Sequence, residues 1–159
     1  MNRHTPPEDE RTLEAVYREH GHRLWRALVL STGQVEIASD AVAEAFAQAL
    51  RRGDGIRDPL AWVWKAAFRI AAGEMKARAF MRTLPDEVAE EIPGSFVDLW
   101  RALALLTPHQ RTAVVLADYA GYPHRQVAEV MGSTTAAVGV HVHRARTRLR
   151  KLLEENDDD

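Results

Sequence analysis

Between Arg125 and Lys151 the chain carries five arginines and one lysine against a single acid, Glu129. Such a run is suited to neutralising phosphates, with an affinity that falls steeply as salt rises. Histidine is the other conspicuous ligand type, with seven in the chain, and His20 with His22 and His141 with His143 are the closest pairs. A spacing of two on a helix splays side chains apart, whereas helical zinc pairs sit three or four residues apart, so no metal is expected. Cysteine is absent, which excludes a thiolate zinc site, a disulfide framework and a cysteine nucleophile. Serines are scarce, no glycine-rich phosphate loop is present, and the acids are spread as helix-surface charge rather than as a convergent pair. The chain does not read as an enzyme, and neither a cofactor nor a small-molecule substrate is expected.

The whole-chain balance limits how those cations are used. A net charge of -2 over 159 residues argues against a polyanion binder whose entire surface is basic, so nucleic-acid contacts must come from local patches. The amino terminus, MNRHTPPEDE, lacks the apolar core of a signal peptide, and no later stretch is long and uncharged enough to span a bilayer. A cytoplasmic protein without membrane insertion is the expectation.

The elements that must position the cations read as helices almost throughout. Glycine and proline cluster at a few places, while alanine, leucine, arginine and glutamate fill the intervals. A first helix from about Glu10 to Leu30 places Leu13, Val16, Tyr17, Leu24 and Leu28 on an apolar stripe. A second, from about Val35 to Arg51, gathers Ala38, Val42, Ala45, Phe46, Ala49 and Leu50 on one face and leaves Asp40 and Glu44 off it. RRGDGIRDP is a turn, and Asp58 before Pro59 signals the start of a third helix reaching about Met81. Phe46 and Trp62 read as core.

TLPDEVAEEIPGS, with two prolines and four acids, reads as a linker. Beyond it Phe96, Leu99, Leu103 and Leu106 mark a short helix, and Thr107, Pro108 and Gln110 resemble a capping box opening the next. That helix is apolar all round from Ala113 to Ala117, as befits the centre of a small bundle, and Gly121 closes it. HRQVAEVMGSTTAAVGVHVHRARTRLRKLL then gives a short helix, a glycine turn and a longer helix, the pattern of a DNA-binding helix-turn-helix. Val127, Ala128 and Met131 supply contacts, Gly132 the turn, and Ser133 or Thr134 the cap. Val138, Val142, Ala145, Leu149 and Leu152 face the bundle while Arg144, Arg148 and Lys151 project elsewhere. By the geometry of such motifs Thr134, Thr135, Ala137 and His141 approach base edges, with Arg125, Arg144 and Arg148 on phosphates. The expected fold is all-α, two small helical bundles joined by a flexible linker, the second containing the helix-turn-helix. Residues 10–82 form the first domain, 83–95 the linker, 96–153 the second domain and 154–159 an acidic, solubilising tail.

From about Leu13 to Leu153 the chain resembles the extracytoplasmic-function (ECF) group of bacterial sigma-70 factors. LEAVYREHGHRLWRALVL, ASDAVAEAFAQAL and DPLAWVWKAAFRI are similar to the family's region 2, and ALALLTPHQRTAVVLADYAGY with the helix-turn-helix to its region 4. The resemblance implies a transcription initiation protein whose partners are core RNA polymerase, promoter DNA and an anti-sigma factor. It implies that Asp40 and Glu44 dock on a basic coiled coil of polymerase. The loop Arg51, Arg52 to Arg57 and the following helix, with Lys65, Arg69, Lys76 and Arg78, would engage the minus-ten element, and the recognition helix the minus-thirty-five element.

The chain departs from the family pattern where DNA is touched. Gly139, Val140 and His141 replace a basic and hydroxyl-bearing run, Arg69 stands at a usual asparagine, Gly73 at an acid and Ala43 at a glutamine. A weak or unusual promoter reader is expected. The competing readings are a helix-turn-helix regulator that does not join polymerase and a degenerate sigma-like adaptor that binds an anti-sigma protein.

Overall fold

Apolar side chains recurring at helical spacing, punctuated by a few glycines and prolines, produce a fold in which every regular element is helical among the described residues. The computed structural model describes residues 8–76, 78, 86–90 and 93–158. In chain order these are α1 (Glu8–Thr32), α2 (Val35–Arg52), a 3-10 turn (Gly53–Gly55), α3 (Pro59–Met75), α4 (Asp86–Ala89), α5 (Gly94–Leu103), α6 (Pro108–Val114), a π-helical segment (Val115–Tyr119), α7 (His124–Met131) and α8 (Thr135–Asp157). Residues 79–85 and 91–92, which hold much of the expected linker, and Asp159 of the expected tail lie outside the described residues.

The first bundle is α1, α2 and α3. Leu13, Val16, Leu24 and Leu28 of α1 meet Ala38, Val42, Ala45, Phe46 and Ala49 of α2 in its core. Two residues expected in these stripes lie at their edges instead, for Tyr17 is 61% and Leu50 63% exposed. Each directly follows a buried neighbour, Val16 or Ala49, and one residue of helix turns about 100° away from it. Tyr17 still touches Phe46 edge-on, with ring centroids 5.0 Å apart. At the end of α1 the Thr32 hydroxyl donates to the Leu28 carbonyl at 2.7 Å and accepts from the Gln34 amide at 3.1 Å, closing a tight turn into α2.

Asp58 caps α3 as expected, its carboxylate accepting from the Ala61 amide at 3.1 Å with Pro59 in the first turn. The helix ends at Met75, short of the expected Met81, and Ala72, Gly73, Glu74 and Lys76 around its end are exposed. Trp62, expected as core, is not the buried tryptophan of this helix. Trp64 is the buried one, stacked 6.0 Å from Phe68, and Trp62 is only half-buried. Trp64 follows Val63, which is fully buried, and this stretch of α3 is covered by both bundles, which widens the face that must be apolar.

The second bundle is α5 to α8. Phe96, Trp100, Leu103 and Leu106 pack with Ala113 to Leu116, Val127, Val138, Val142 and Ala145. Burying each such large side chain contributes on the order of 1.5–3 kcal/mol. The expected capping box is present, with Thr107 Oγ1 accepting from the Gln110 amide at 3.3 Å and Gln110 Oε1 accepting from the Thr107 amide at 3.4 Å. Tyr122 donates its amide to the Leu116 carbonyl at 3.0 Å, and Gly121 has φ +77°, which ends the π segment.

The two bundles meet, and their buried residues form one continuous core. Arg111 of α6, 3% exposed, donates through Nε to the Ser31 carbonyl at 2.9 Å. Ser31 Oγ and Thr112 Oγ1 are hydrogen-bonded at 2.8 Å. Arg23 donates to the Tyr119 carbonyl at 2.7 Å, and Trp64 meets Tyr122 at 5.4 Å between ring centroids. Burial pushes the Arg111 guanidinium down to about 10, which leaves it charged at neutral pH. Replacing it removes a charged donor and leaves a buried carbonyl without it. Arg111→Ala is expected to lower stability by about 1–3 kcal/mol and to split thermal unfolding into two steps in scanning calorimetry as the bundles uncouple.

Candidate nucleic-acid interface

The helix-turn-helix is built as its glycine and threonine demand. Gly132 ends α7 in the left-handed region at φ 62°, and the Ser133 amide reaches back to the Ala128 carbonyl at 2.9 Å. Thr134 is the cap of α8, its Oγ1 accepting from the Ala137 amide at 3.1 Å. Val127, Ala128, Val138, Val142 and Ala145 are buried between α7, α8 and α6, while Met131, Leu149 and Leu152 are half-buried. This frame leaves Thr134, Thr135 and Ala136 exposed at the start of α8, with Ala137 half-buried. His141 is half-buried and stacks on His109 of α6, ring centroids 5.5 Å apart.

Further along α8, Arg144, Arg148 and Lys151 line one groove together with Leu105, Thr107, Gln110, His143 and Thr147. Arg125 is exposed on α7. Arg146, counted with the basic run in the sequence, is instead turned onto Asp118 of the π segment, with Nε–Oδ2 at 2.8 Å and Nη2–Oδ1 at 2.5 Å. The hydrogen bond from Arg146, followed by the charges of Arg146 and His124, holds the Asp118 carboxyl below the usual carboxylate range against partial desolvation. Sequence spacing could not have paired the two, since they are 28 residues apart.

The cations expected near the minus-ten element fall into separate groups. Arg51, Arg52 and Arg57 are exposed on either side of the Gly53–Gly55 turn. Arg51 donates to Glu44 Oε1 at 3.0 Å, so one residue expected to meet polymerase is joined to one expected to meet DNA. Glu44 also accepts from Gln48 at 3.1 Å, and these two hydrogen bonds, Gln48 foremost, hold its carboxyl below the usual range. Asp40 is exposed on the same helix. At about 100° per residue, Trp62, Lys65, Arg69 and Lys76 share one side of α3. Lys65 is half-buried, and Arg69 and Lys76 are exposed where α3 faces the second bundle. Arg78 Nη1 lies 3.6 Å from Glu36 of α2.

Two measurements test this frame. The folded-state pKa of Asp118 lies below its unfolded value, so the ion pair stabilises the fold above the unfolded value and fades as pH falls through the folded one. Asp118→Asn is expected to cost about 0.5–1 kcal/mol at neutral pH, screening at a half-exposed pair keeping it small. Urea titrations should show the gap to the parent closing on acidification. At Gly139 an added Cβ meets only His124 Nδ1 at 3.8 Å, an ordinary van der Waals distance. Gly139→Ala should therefore raise the urea midpoint, with a gain of about 0.8–1 kcal/mol from helix propensity.

Residues 96–149, from α5 into the last part of α8, match the family described as Sigma-70, region 4. Over nearly the whole chain it is similar to the ECF RNA polymerase sigma factor SigL of Mycobacterium tuberculosis, 27% identical over 160 aligned positions that cover 90% of this chain and 89% of SigL. SigM of the same organism is 28% identical over 154 positions, covering 91% and 79%. Among solved structures, CnrH in complex with the cytosolic domain of CnrY superposes with a TM-score of 0.70 at 22% identity, covering 93% of this chain and 91% of CnrH. The sigma factor RpoE of Bartonella quintana, in complex with the anti-sigma factor NepR, also gives 0.70, at 20% identity over 89% and 98%. The fold is shared with both structures, and the two bundles align in the same order with ECF sigma factors almost end to end. The chain is thus similar to ECF sigma factors over nearly its whole length, and its residues 96–149 match the sigma-70 region 4 family.

Proposed function

We propose that this protein is an RNA polymerase sigma factor of the ECF type that brings core polymerase to promoters and supplies no catalytic group of its own. The observation that carries the reading is the co-linear alignment of both bundles with SigL, 90% of this chain on 89% of that one. A regulator that used only a helix-turn-helix would share the second bundle and not the first. Residues 10–82 serve as the polymerase- and minus-ten-binding domain, 83–95 as the linker and 96–153 as the minus-thirty-five reader. The protein acts in the cytoplasm, where its polymerase is. No helix among the described residues is long and apolar enough to cross a membrane.

Asp40 and Glu44 offer carboxylates on the exposed side of α2 to a basic partner helix, although Glu44 must share its charge with Arg51. On α3 the half-buried Trp62 beside Lys65, Arg69 and Lys76 forms the combination that holds single strands, an aromatic face for a base and cations for the backbone. Arg51, Arg52 and Arg57 around the turn form a second group of exposed cations offered to the same element, and Arg78, beside Glu36, lies beyond the end of α3. On the duplex, Thr134, Thr135 and Ala137 approach base edges with His141 behind them, while Arg125, Arg144 and Arg148 bind phosphate. An anti-sigma factor is a further partner, as NepR is for the sigma factor RpoE.

Affinity co-purification with core RNA polymerase, followed by run-off transcription, tests the reading. Stable association with core enzyme and promoter-dependent but weak unaided initiation are expected. Binding duplex DNA alone while failing to bind core enzyme would overturn it. Arg144→Ala with Arg148→Ala should weaken duplex binding across sequences and flatten the log–log salt dependence by about one for each phosphate no longer neutralised.

A further inference from the structure

The junction of the two bundles borders a half-open cavity of about 630 Å³ that the promoter reading does not use as a pocket. The end of α1, the last two turns of α3, the start of α6 and the end of α7 wall it. Its polar lining is one-sided in charge. Arg69, Lys76, His109 and Arg111 line it, and none of its lining residues is acidic, in a chain that carries 23 acids. Its apolar wall is Phe68, Met75, Val130 and Met131. The Arg111 guanidinium is 3% exposed and anchored through Nε on the Ser31 carbonyl, so one cation of the set is held rigidly inside while Arg69 and Lys76 stand exposed at the rim.

We propose that this cavity binds a small soluble amphiphilic anion: a carboxylate, sulfonate or phosphate head carried on an apolar body. The head sits between Arg69 and Lys76, and the body lies against Phe68, Met75 and Met131. The volume is in the range of small-ligand sites, which are mostly apolar with a few placed polar groups. Cations beside a partly water-excluded wall attract an anion more strongly than the same cations on an open surface. Walls on opposite sides admit a single molecule and not the surface of a bilayer, so a free amphiphile is the occupant. Such a ligand touches both bundles at once and stabilises their association by mass action. It also occupies Arg69 and Lys76, which would deny them to a promoter strand. That competition rests on the promoter reading, whereas the binding itself does not.

The probe is 8-anilinonaphthalene-1-sulfonate, titrated into the full chain and followed by fluorescence, with N-phenyl-1-naphthylamine as its uncharged counterpart. One sulfonate site per chain is expected, at least tenfold tighter than the neutral probe. Arg69→Gln with Lys76→Gln should weaken sulfonate binding at least tenfold and leave the neutral probe unchanged. Ala72→Trp, which fills the cavity from an exposed position, should abolish both. Dodecanoate should displace the probe and phosphatidylglycerol vesicles should not. Equal binding of the two probes, sulfonate affinity unchanged in the double glutamine variant, or displacement by vesicles alone would overturn the proposal. If Ala72→Trp fails to fold, the glutamine pair, both at exposed positions, still decides. Intact probe binding without competition from a minus-ten oligonucleotide would count against the promoter contacts alone.

Discussion

The arrangement of the molecule depends on one buried cation, Arg111. Taking a guanidinium out of water is costly unless its surroundings replace that water. Here the replacement is positional, because the Ser31 carbonyl that accepts from Arg111 belongs to the last turn of α1, where helix carbonyls lack intrahelical donors and the macrodipole is negative. The Arg111–Ser31 hydrogen bond thus satisfies an orphan acceptor and helps to compensate a buried charge. The Ser31–Thr112 hydrogen bond beside it fixes the rotation of α6 about that point. Seating α6 on the end of α1 in turn determines where the π segment, α7 and α8 lie.

A second restraint carries this placement outward. The π segment shifts the hydrogen-bond register by one residue, with the Ala120 amide bonded to the Val115 carbonyl at 2.9 Å, and Asp118 lies within it. Asp118 takes both ends of the Arg146 guanidinium, tying the middle of the recognition helix to the bundle core. Two arginines from the two halves of one bundle are therefore used internally, one buried at the junction and one on the flank. The cations left on the surface of α8 are Arg144, Arg148, Arg150 and Lys151, all exposed.

Periodicity and punctuation made most of the fold legible. The Asp58–Pro59 start, the Thr107–Gln110 box and the Gly132 turn are local signals whose physics is complete within four residues, and each has the expected role. Side chains whose roles depend on a distant partner were not legible. Arg111 looks like any helix-surface arginine until Ser31, 80 residues earlier, is brought beside it. Trp62 and Trp64 differ only in which one the second bundle covers, and Tyr17 and Leu50 lie one residue beyond a stripe whose width depends on packing. The same holds for the site, since the exposed start of α8 followed from the motif, whereas Arg146 turning inward and His141 stacking on His109 did not.

Under the proposed function, the surface that remains constrains what kind of promoter could be read. At the three positions where the resemblance implies a basic and hydroxyl-bearing run, Gly139 offers no side chain, Val140 is 48% exposed and apolar, and His141 is stacked on His109. Base edges in the major groove are distinguished mainly by paired donors and acceptors, and a valine can recognise only the methyl group of thymine. Under the proposed function Thr134 and Thr135, both exposed at the start of α8, are the hydroxyls placed to read sequence, since the Thr134 oxygen accepts from the Ala137 amide and keeps its O–H to donate. Arg144, Arg148 and Lys151, exposed along one groove, are the cations this reading places on phosphate, which carries no sequence information. Under the proposed function affinity and specificity are thus separated along α8, with the basic carboxyl-terminal half supplying the first and a reduced amino-terminal half the second. If the proposed function holds, discrimination comes from what holds this helix in place, namely polymerase and the first bundle, more than from the helix itself.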